Sequence, residues 1–361
     1  MSVQIHKHYR LVHGNHSAES DEIGWDNVAF GPPFAKTMAS AIHKDGRWED
    51  SILSDYQSPP EGSVDGDYGQ RVFEGECIFP NSSVTHARLW CARWHAERFN
   101  KSARRLKMPE FPEDRCVEVI AALAQANKEY LRHGPLYVRP TIRNWWPEMR
   151  LKPSERYLFV AFAMPFGTYY TDPLRLTIDP TKLRAMPGHM GDIKSLSYAA
   201  CYAHDKQLYL HPMRGSVQET DSANAWFIVS GKRELVTPPL DGTILPGNTR
   251  RMTFRLAEKL GWGVTERHIY PDEVMDKDRI RMAFLSGTAA RYTRVREIER
   301  IFRLHDWWEP GNEGIETRER QSVVYDDTEA IQFVDELRRL LLDAQFGRVT
   351  EFDDVVVSVP L

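Results

Sequence analysis

Leu245-Pro246-Gly247-Asn248-Thr249-Arg250 runs without a break into Arg251-Met252-Thr253-Phe254-Arg255-Leu256-Ala257-Glu258-Lys259-Leu260-Gly261. A Pro-Gly turn opening directly onto an amphipathic stretch predicts a helix over 249–260. The first amides of a helix have no partner within it and lie at the positive end of its dipole. Such an end accepts a phosphate. A side-chain cap from Asn248 or Thr249 would satisfy the same amides, so the turn alone leaves both readings open.

Two upstream stretches sharpen the choice. Gly191-Asp192-Ile193-Lys194-Ser195-Leu196-Ser197-Tyr198 places a lysine between a Gly/Pro-rich approach and a mostly apolar run, with a tyrosine one turn later. A lysine in partly apolar surroundings suits a nucleophile and proton shuttle. Gln218-Glu219-Thr220-Asp221-Ser222-Ala223-Asn224 supplies carboxylates, and spacing alone does not separate Glu219 from Asp221. Downstream, Ser286-Gly287-Thr288-Ala289-Ala290 follows a buried strand with small and hydroxyl residues that let a backbone approach an anion, or that make a plain tight turn. An amine, an acid and a phosphate cradle in this order suggest pyridoxal 5'-phosphate (PLP). The lysine would hold the aldehyde as a Schiff base, the acid would keep the pyridine nitrogen protonated, and the helix start would take the phosphate.

Composition narrows the class without naming it. The chain has 361 residues, 42% hydrophobic and 11% aromatic, which is room for two cored domains in an ordinary globular protein. A net charge of -4 with scattered Lys and Arg argues against a nucleic-acid partner. Cys77, Cys91, Cys116 and Cys201 lack metal or disulfide spacing and read as reduced, cytosolic thiols. The 13 histidines form no HExxH or HxxxH pattern, so no metal site is expected. The apolar run near 157–166 is too short to span a membrane, and the N-terminus has no apolar signal core. A cytoplasmic protein with no membrane association is the expectation.

Along the chain, 1–30 reads as a polar extension. Helices are expected at 90–106 and 113–133, and strands at 136–142 and 156–163. The second half shows short strands near 174–179, 207–211, 225–230, 234–237, 264–269 and 282–285, then an amphipathic helix over 327–345. The absence of regular βαβ alternation points to an α+β architecture and away from a Rossmann-type sheet.

Taken together the motifs resemble the fold-type IV PLP enzymes (class IV aminotransferases), and most nearly the branched-chain amino acid aminotransferases, over roughly 30–345. Tyr68-Gly69-Gln70-Arg71-Val72-Phe73-Glu74-Gly75 comes first, followed by Arg98 in His95-Ala96-Glu97-Arg98-Phe99-Asn100-Lys101-Ser102-Ala103 and by Leu136-Tyr137-Val138-Arg139-Pro140. The lysine, glutamate, LPGxTR and SGTAA segments then follow in family order. The resemblance implies a two-domain fold like that of D-amino acid aminotransferase: a small α/β domain over 31–165, a loop over 166–178 and a larger β-barrel-like PLP domain over 179–361.

It also implies roles. Lys194 is similar to the Schiff-base lysine and proton shuttle, and Glu219 to the acid on the pyridine nitrogen, which demotes Asp221. Arg98, Asn248, Thr249 and Thr288 match phosphate ligands. Leu245 matches the residue packed on the ring, and Tyr198 the tyrosine on the phenolic oxygen. Tyr68, Phe73, Tyr137, Arg139 and Ala289 match the substrate pocket. A homodimer is implied, since the family pocket borrows side chains from a partner subunit. The reaction implied is transfer of an amino group from a hydrophobic L-amino acid to a 2-oxo acid such as 2-oxoglutarate.

Three departures bear on substrate. The Lys194–Tyr198 gap is one residue shorter than in the family, and Lys194-Ser195-Leu196 resembles the D-amino acid transaminase and aminodeoxychorismate lyase branches. The stretch from Tyr198 to Glu219 is several residues short. Trp145 and Trp146 replace small residues; they are expected to pack at a domain or dimer interface, the alternative being a pocket wall for a bulkier substrate. The competing readings are a fold-type IV lyase or D-amino acid transaminase, and a degenerate PLP-binding protein. Tyr68, the Phe73-Glu74-Gly75 run and Arg139 speak against the first.

Overall fold

The structure, a computed structural model, describes residues 35, 37–55, 66, 68–144, 151–167, 169–170, 173–196, 206–303 and 318–361. Trp145, Trp146 and Tyr198 lie outside them. Contacts divide the chain into two units: Met1–Tyr169 with Ile193–Ser197 and Leu340–Leu361, and Tyr170–Asp192 with Tyr198–Arg339. The first unit thus takes in the short segment that carries Lys194.

The first unit is built on a nine-stranded sheet. Its strands are β1 (Thr37–Lys44), β2 (Arg47–Trp48), β3 (Ile52–Asp55), β4 (Arg71–Phe73), β5 (Glu76–Pro80), β6 (His86–Trp90), β7 (Leu136–Asn144) and β8 (Tyr157–Pro165), with the C-terminal strand Val356–Pro360. The order is Val356–Pro360, β6, β5, β7, β8, β1, β2; β3 adds to β1 and β4 to β7, every pairing antiparallel.

Pro140 organises the middle of this sheet. Phe73 pairs with Thr141 and Glu76 with Val138, so β4 and β5 share one register along β7, and Glu74 and Gly75 fall opposite Pro140 and Arg139. Proline has no N–H to give, so the ladder breaks there. One bond survives, from the Glu74 N–H to the Pro140 carbonyl at 2.8 Å. Glu74 is left inside the sheet, free of a strand's alternation.

Helices α1 (Ala92–Arg105), α2 (Glu113–Ala126) and α3 (Lys128–Leu131) belong to the same unit. The helix expected over 113–133 is interrupted at Asn127. Its buried amide donates to the carbonyls of Leu123 (2.9 Å) and Thr37 (3.0 Å) and accepts from the Thr37 N–H (3.2 Å). A side chain that competes for backbone groups in this way ends a helix. Phe111 stacks on Phe159 at 4.0 Å between centroids, with the edges of Phe99 and Trp48 closing the cluster. Each fully buried phenylalanine contributes roughly 2–3 kcal/mol.

The second unit has a seven-stranded sheet: β9 (Leu174–Ile178), β10 (Asn224–Val229), β11 (Glu234–Thr237), β12 (Gly263–Glu266), β13 (Ile280–Gly287), β14 (Arg291–Arg303) and β15 (Arg318–Val324). Its order is β12, β11, β10, β13, β14, β15, with β9 on β14. Helices α4 (Asn248–Lys259) and α5 (Pro271–Val274) accompany it, with α6 (Thr328–Gln345) as far as Arg339. The β11–β12 and β9–β14 pairs are parallel and the others antiparallel. One βαβ crossover, β11–α4–β12, therefore sits in a mostly antiparallel sheet, and the α+β expectation holds.

The strand expected over 207–211 does not form. Gln207 and Leu210 make only isolated bridges, to Thr177 and Val217. His211 stops the run, because its Nδ1 accepts the N–H groups of Met213 and Arg214 at 3.2 Å and turns the chain at once. Among the described residues no helix is long and apolar enough to cross a membrane.

Candidate active site

In the first unit, α1 and β4 hold the lysine segment by its backbone. The Lys194 N–H donates to Ser102 Oγ at 3.1 Å, the Lys194 carbonyl accepts from the Phe73 N–H at 3.1 Å, and Ser195 bridges Val72. Ser102 is fully buried and its hydroxyl also donates to the Arg98 carbonyl, which fixes the acceptor that Lys194 uses. Lys194 is half-buried, with Nζ 5.0 Å from the centroid of the Phe73 ring.

Beneath this segment lies a buried ionic cluster. Arg98 makes a fork-on-fork pair with Glu74, Nε to Oε1 and Nη2 to Oε2, both at 2.7 Å. His95 Nδ1 lies 2.8 Å from Glu74 Oε2. His95, Arg98 and Ser102 stand at helical spacings of three and four residues, so one face of α1 presents all three. Burial alone would raise the Glu74 carboxyl, but the Arg98 charge and the hydrogen bonds from Arg98 and His95 outweigh it and hold the acid well below the usual carboxylate range. Burial lowers His95, with only part of that returned by Glu74, so a neutral ring donates from Nδ1. Glu76 goes the other way. Burial first, then the Glu74 charge, push its carboxyl up to about 8.

Of the residues matched to a substrate pocket, Phe73, Tyr137 and Arg139 come together in the first unit. The Arg139 guanidinium lies 4.6 Å from the Phe73 centroid and 5.3 Å from that of Tyr137, and Nη2 donates to the Tyr137 hydroxyl at 3.0 Å. Among the described residues the buried Arg139 Nε finds no hydrogen-bond partner, a donor that suits an anion. Gly75 makes this packing possible, since a Cβ there would collide with the Tyr137 hydroxyl. Tyr68 is 45% exposed, whereas Tyr137 is buried and Phe73 and Arg139 are half-buried.

The second unit holds the acid and the helix start. Glu219 is buried and accepts from the Leu245 N–H (2.8 Å), Arg184 Nη2 (2.9 Å) and Asn224 Nδ2 (2.7 Å). Three donors, one of them a cation, are what an ionised carboxylate requires in a buried place. Asp221 is only half-buried and accepts from the Tyr209 hydroxyl at 2.6 Å. Leu245 is buried next to Glu219, and Gly247 begins α4 with no side-chain cap. The alternative of an Asn248 or Thr249 cap is therefore not what the helix uses. Among the described residues the buried Asn248 Nδ2 finds no hydrogen-bond partner, and Thr249 is buried in the first turn. An uncapped helix start beside an unpartnered amide fits a phosphate. Thr288 and Ala289 sit half-buried at the tip of the β13–β14 hairpin, and the adjoining Gly287 lies close enough that a Cβ would stand 3.4 Å from the Ser222 carbonyl.

Sequence reading gave no role to Glu74, His95, Ser102, Arg184 or Asn224. Polar residues at helical spacing within an otherwise buried stripe were the available signal for His95 and Ser102, because such residues need partners. Asn224 opening the apolar run of β10 was a weaker one. Arg184, ten residues before Lys194, carries no local signature.

The family model for class IV amino-transferases matches residues 79–298. The chain is 32% identical over 289 residues to branched-chain-amino-acid aminotransferase 2, chloroplastic, of Arabidopsis thaliana, covering 74% of this chain and 73% of that protein. It is 31% identical over 351 residues to a probable branched-chain-amino-acid aminotransferase of Streptomyces coelicolor, covering 90% and 91%. The crystal structure of the branched-chain amino acid aminotransferase from Thermobaculum terrenum in its PLP form is similar with a TM-score of 0.67 at 21% identity, covering 90% of this chain and 98% of that one.

Proposed function

This chain belongs to the class IV aminotransferases, a family of PLP-dependent transaminases, and we propose that it moves the amino group of a hydrophobic L-amino acid to a 2-oxo acid such as 2-oxoglutarate. One observation carries the substrate reading. Phe73 has the Lys194 amine 5.0 Å and the Arg139 guanidinium 4.6 Å from its ring centroid, so a group that handles amines and a group that handles carboxylates share one aromatic floor.

Bound PLP would supply an aldehyde for amines and a protonated ring that accepts the electron pair left when the substrate α-carbon loses its proton. In the proposed assignment Lys194 Nζ holds the aldehyde and afterwards moves the substrate α-proton. Glu219 takes the pyridine N–H, its carboxylate kept in one orientation by Arg184, Asn224 and the Leu245 N–H. Leu245 packs on the ring, and Tyr198 takes the phenolic oxygen. The phosphate falls to Arg98, to Asn248 and Thr249 at the start of α4, and to Thr288. Glu74 sets the angle of the Arg98 fork. Arg139 binds the substrate carboxylate, with Tyr68, Phe73, Tyr137 and Ala289 around the side chain. The same reading makes the protein a cytoplasmic homodimer.

The test is a half-reaction followed by absorbance. Adding L-leucine or L-phenylalanine to holoenzyme is expected to bleach the visible band of lysine-bound cofactor. Bleaching by D-alanine alone would transfer the protein to the D-amino acid reading, and no response to any of the three would remove the transaminase assignment. Sedimentation equilibrium reads the oligomer, and a monomer at micromolar concentration contradicts the homodimer.

A further inference from the structure

We propose that Asn224 is a positioning residue that locks the Glu219 carboxylate to the turn opening α4, so that the acid and the helix start keep one relative placement. The inference deepens the reading of Glu219 as the acid on the pyridine nitrogen and rests on it.

Three contacts carry it. Asn224 is buried, and its single Nδ2 group donates both to Glu219 Oε2 at 2.7 Å and to the Leu245 carbonyl at 2.9 Å. Both partners are acceptors only, so the amide orientation follows from the network. On the other side, a Cβ on Gly247 would collide with Asn224 Oδ1. The amide therefore fills the space between Glu219, Leu245 and Gly247, with its carbonyl oxygen against the glycine that begins α4. Glu219 and Leu245 are joined a second time by the Leu245 N–H to Glu219 Oε1 bond. Asn224 itself is anchored at the start of β10, opposite Ser286 of β13 and bridged to Glu219. A substitution here would act on both the acid and the helix start.

The experiment titrates PLP into stripped enzyme, read by quenching of tryptophan fluorescence, from pH 6 to pH 9 for wild type, Asn224→Leu and Asn224→Asp. Loss of a hydrogen bond to a charged group predicts a roughly 10- to 100-fold weaker affinity for Asn224→Leu at every pH. Asn224→Asp places a second carboxyl against Glu219. Its like-charge neighbour raises it, so at low pH it takes a proton and donates to Glu219 as the amide did. Its affinity is expected to recover at least about 5-fold between pH 8 and pH 6 relative to wild type. A purely structural role would give Asn224→Asp a loss that does not change with pH, and that result overturns the proposal. So does wild-type affinity in Asn224→Leu. If Asn224→Leu does not fold, the pH profile of Asn224→Asp decides alone.

Glu219→Gln distinguishes the two levels of the argument. Unchanged PLP affinity and spectrum in Glu219→Gln sink the Glu219 reading and this inference with it. A changed Glu219→Gln beside unchanged Asn224 variants sinks the inference only.

Discussion

Glu76→Gln should remove most of the pH dependence of stability in the first unit. Glu76 sits within β5 opposite Val138, 2% exposed, and burial together with the Glu74 charge raises its carboxyl to about 8. The raised value fixes the sign. Between an unfolded value near 4.5 and a folded value of about 8, the folded protein keeps a proton that the unfolded chain has released. The stabilising contribution is complete below the unfolded value and is lost as pH rises through the folded one. Each pH unit in that window costs about 1.4 kcal/mol, and the whole shift sums to about 5 kcal/mol, an upper bound because an ionised carboxyl recruits water. Glutamine has the shape of the protonated acid and does not titrate. Urea unfolding of stripped enzyme at pH 5, 6.5 and 8.5 should therefore show Glu76→Gln gaining on wild type by about 3 kcal/mol from the lowest pH to the highest. A difference that stays flat within about 1 kcal/mol across that range would refute a buried, protonated Glu76. The outcome bears on function, since a second charge beside Glu74 would compete for the Arg98 fork.

Gly75→Ala forces the Tyr137 hydroxyl away from the backbone and so disturbs the partner of Arg139; KM for the amino acid should rise about 10-fold with PLP affinity unchanged, and a KM within twofold of wild type contradicts the packing argument. Arg139→Met removes the carboxylate donor, and a charge-assisted bond of about 1.5–3 kcal/mol predicts a KM higher by roughly 10- to 150-fold while the visible spectrum is retained. Arg184→Met leaves Glu219 buried without its cation; a loss of about 3–5 kcal/mol in urea unfolding is expected, and no loss would mean that the pair adds nothing.

What the sequence revealed was local. The Pro246-Gly247 turn announced α4 to within one residue, and the i, i+3, i+4 pattern announced α1, α2 and α6, because the signals are contained in the segments themselves. Strand β14 was not foreseen. Its Arg- and Glu-rich alternation reads as a solvated stretch until Arg175, Arg320 and Asp272 are brought against Glu297, Glu299 and Arg300 from distant positions. The site divides the same way. The Lys194 segment and the α4 turn carry local signals, whereas spacing alone did not separate Glu219 from Asp221. The groups that orient them are defined by contacts from far along the chain. Asn224 reaches Leu245 past β10 and β11, Arg184 meets Glu219 from thirty-odd residues upstream, and Ser102 accepts from the Lys194 N–H. No local pattern encodes such pairs, because each member is unremarkable until folding places its partner.

The central claim is that Lys194 carries the cofactor, and covalent trapping tests it most directly. Holoenzyme reduced with sodium borohydride and digested should yield one phosphopyridoxyl-labelled peptide, with the label on Lys194, and Lys194→Ala should yield none. A label on any other lysine, or an undiminished label in Lys194→Ala, would contradict the account.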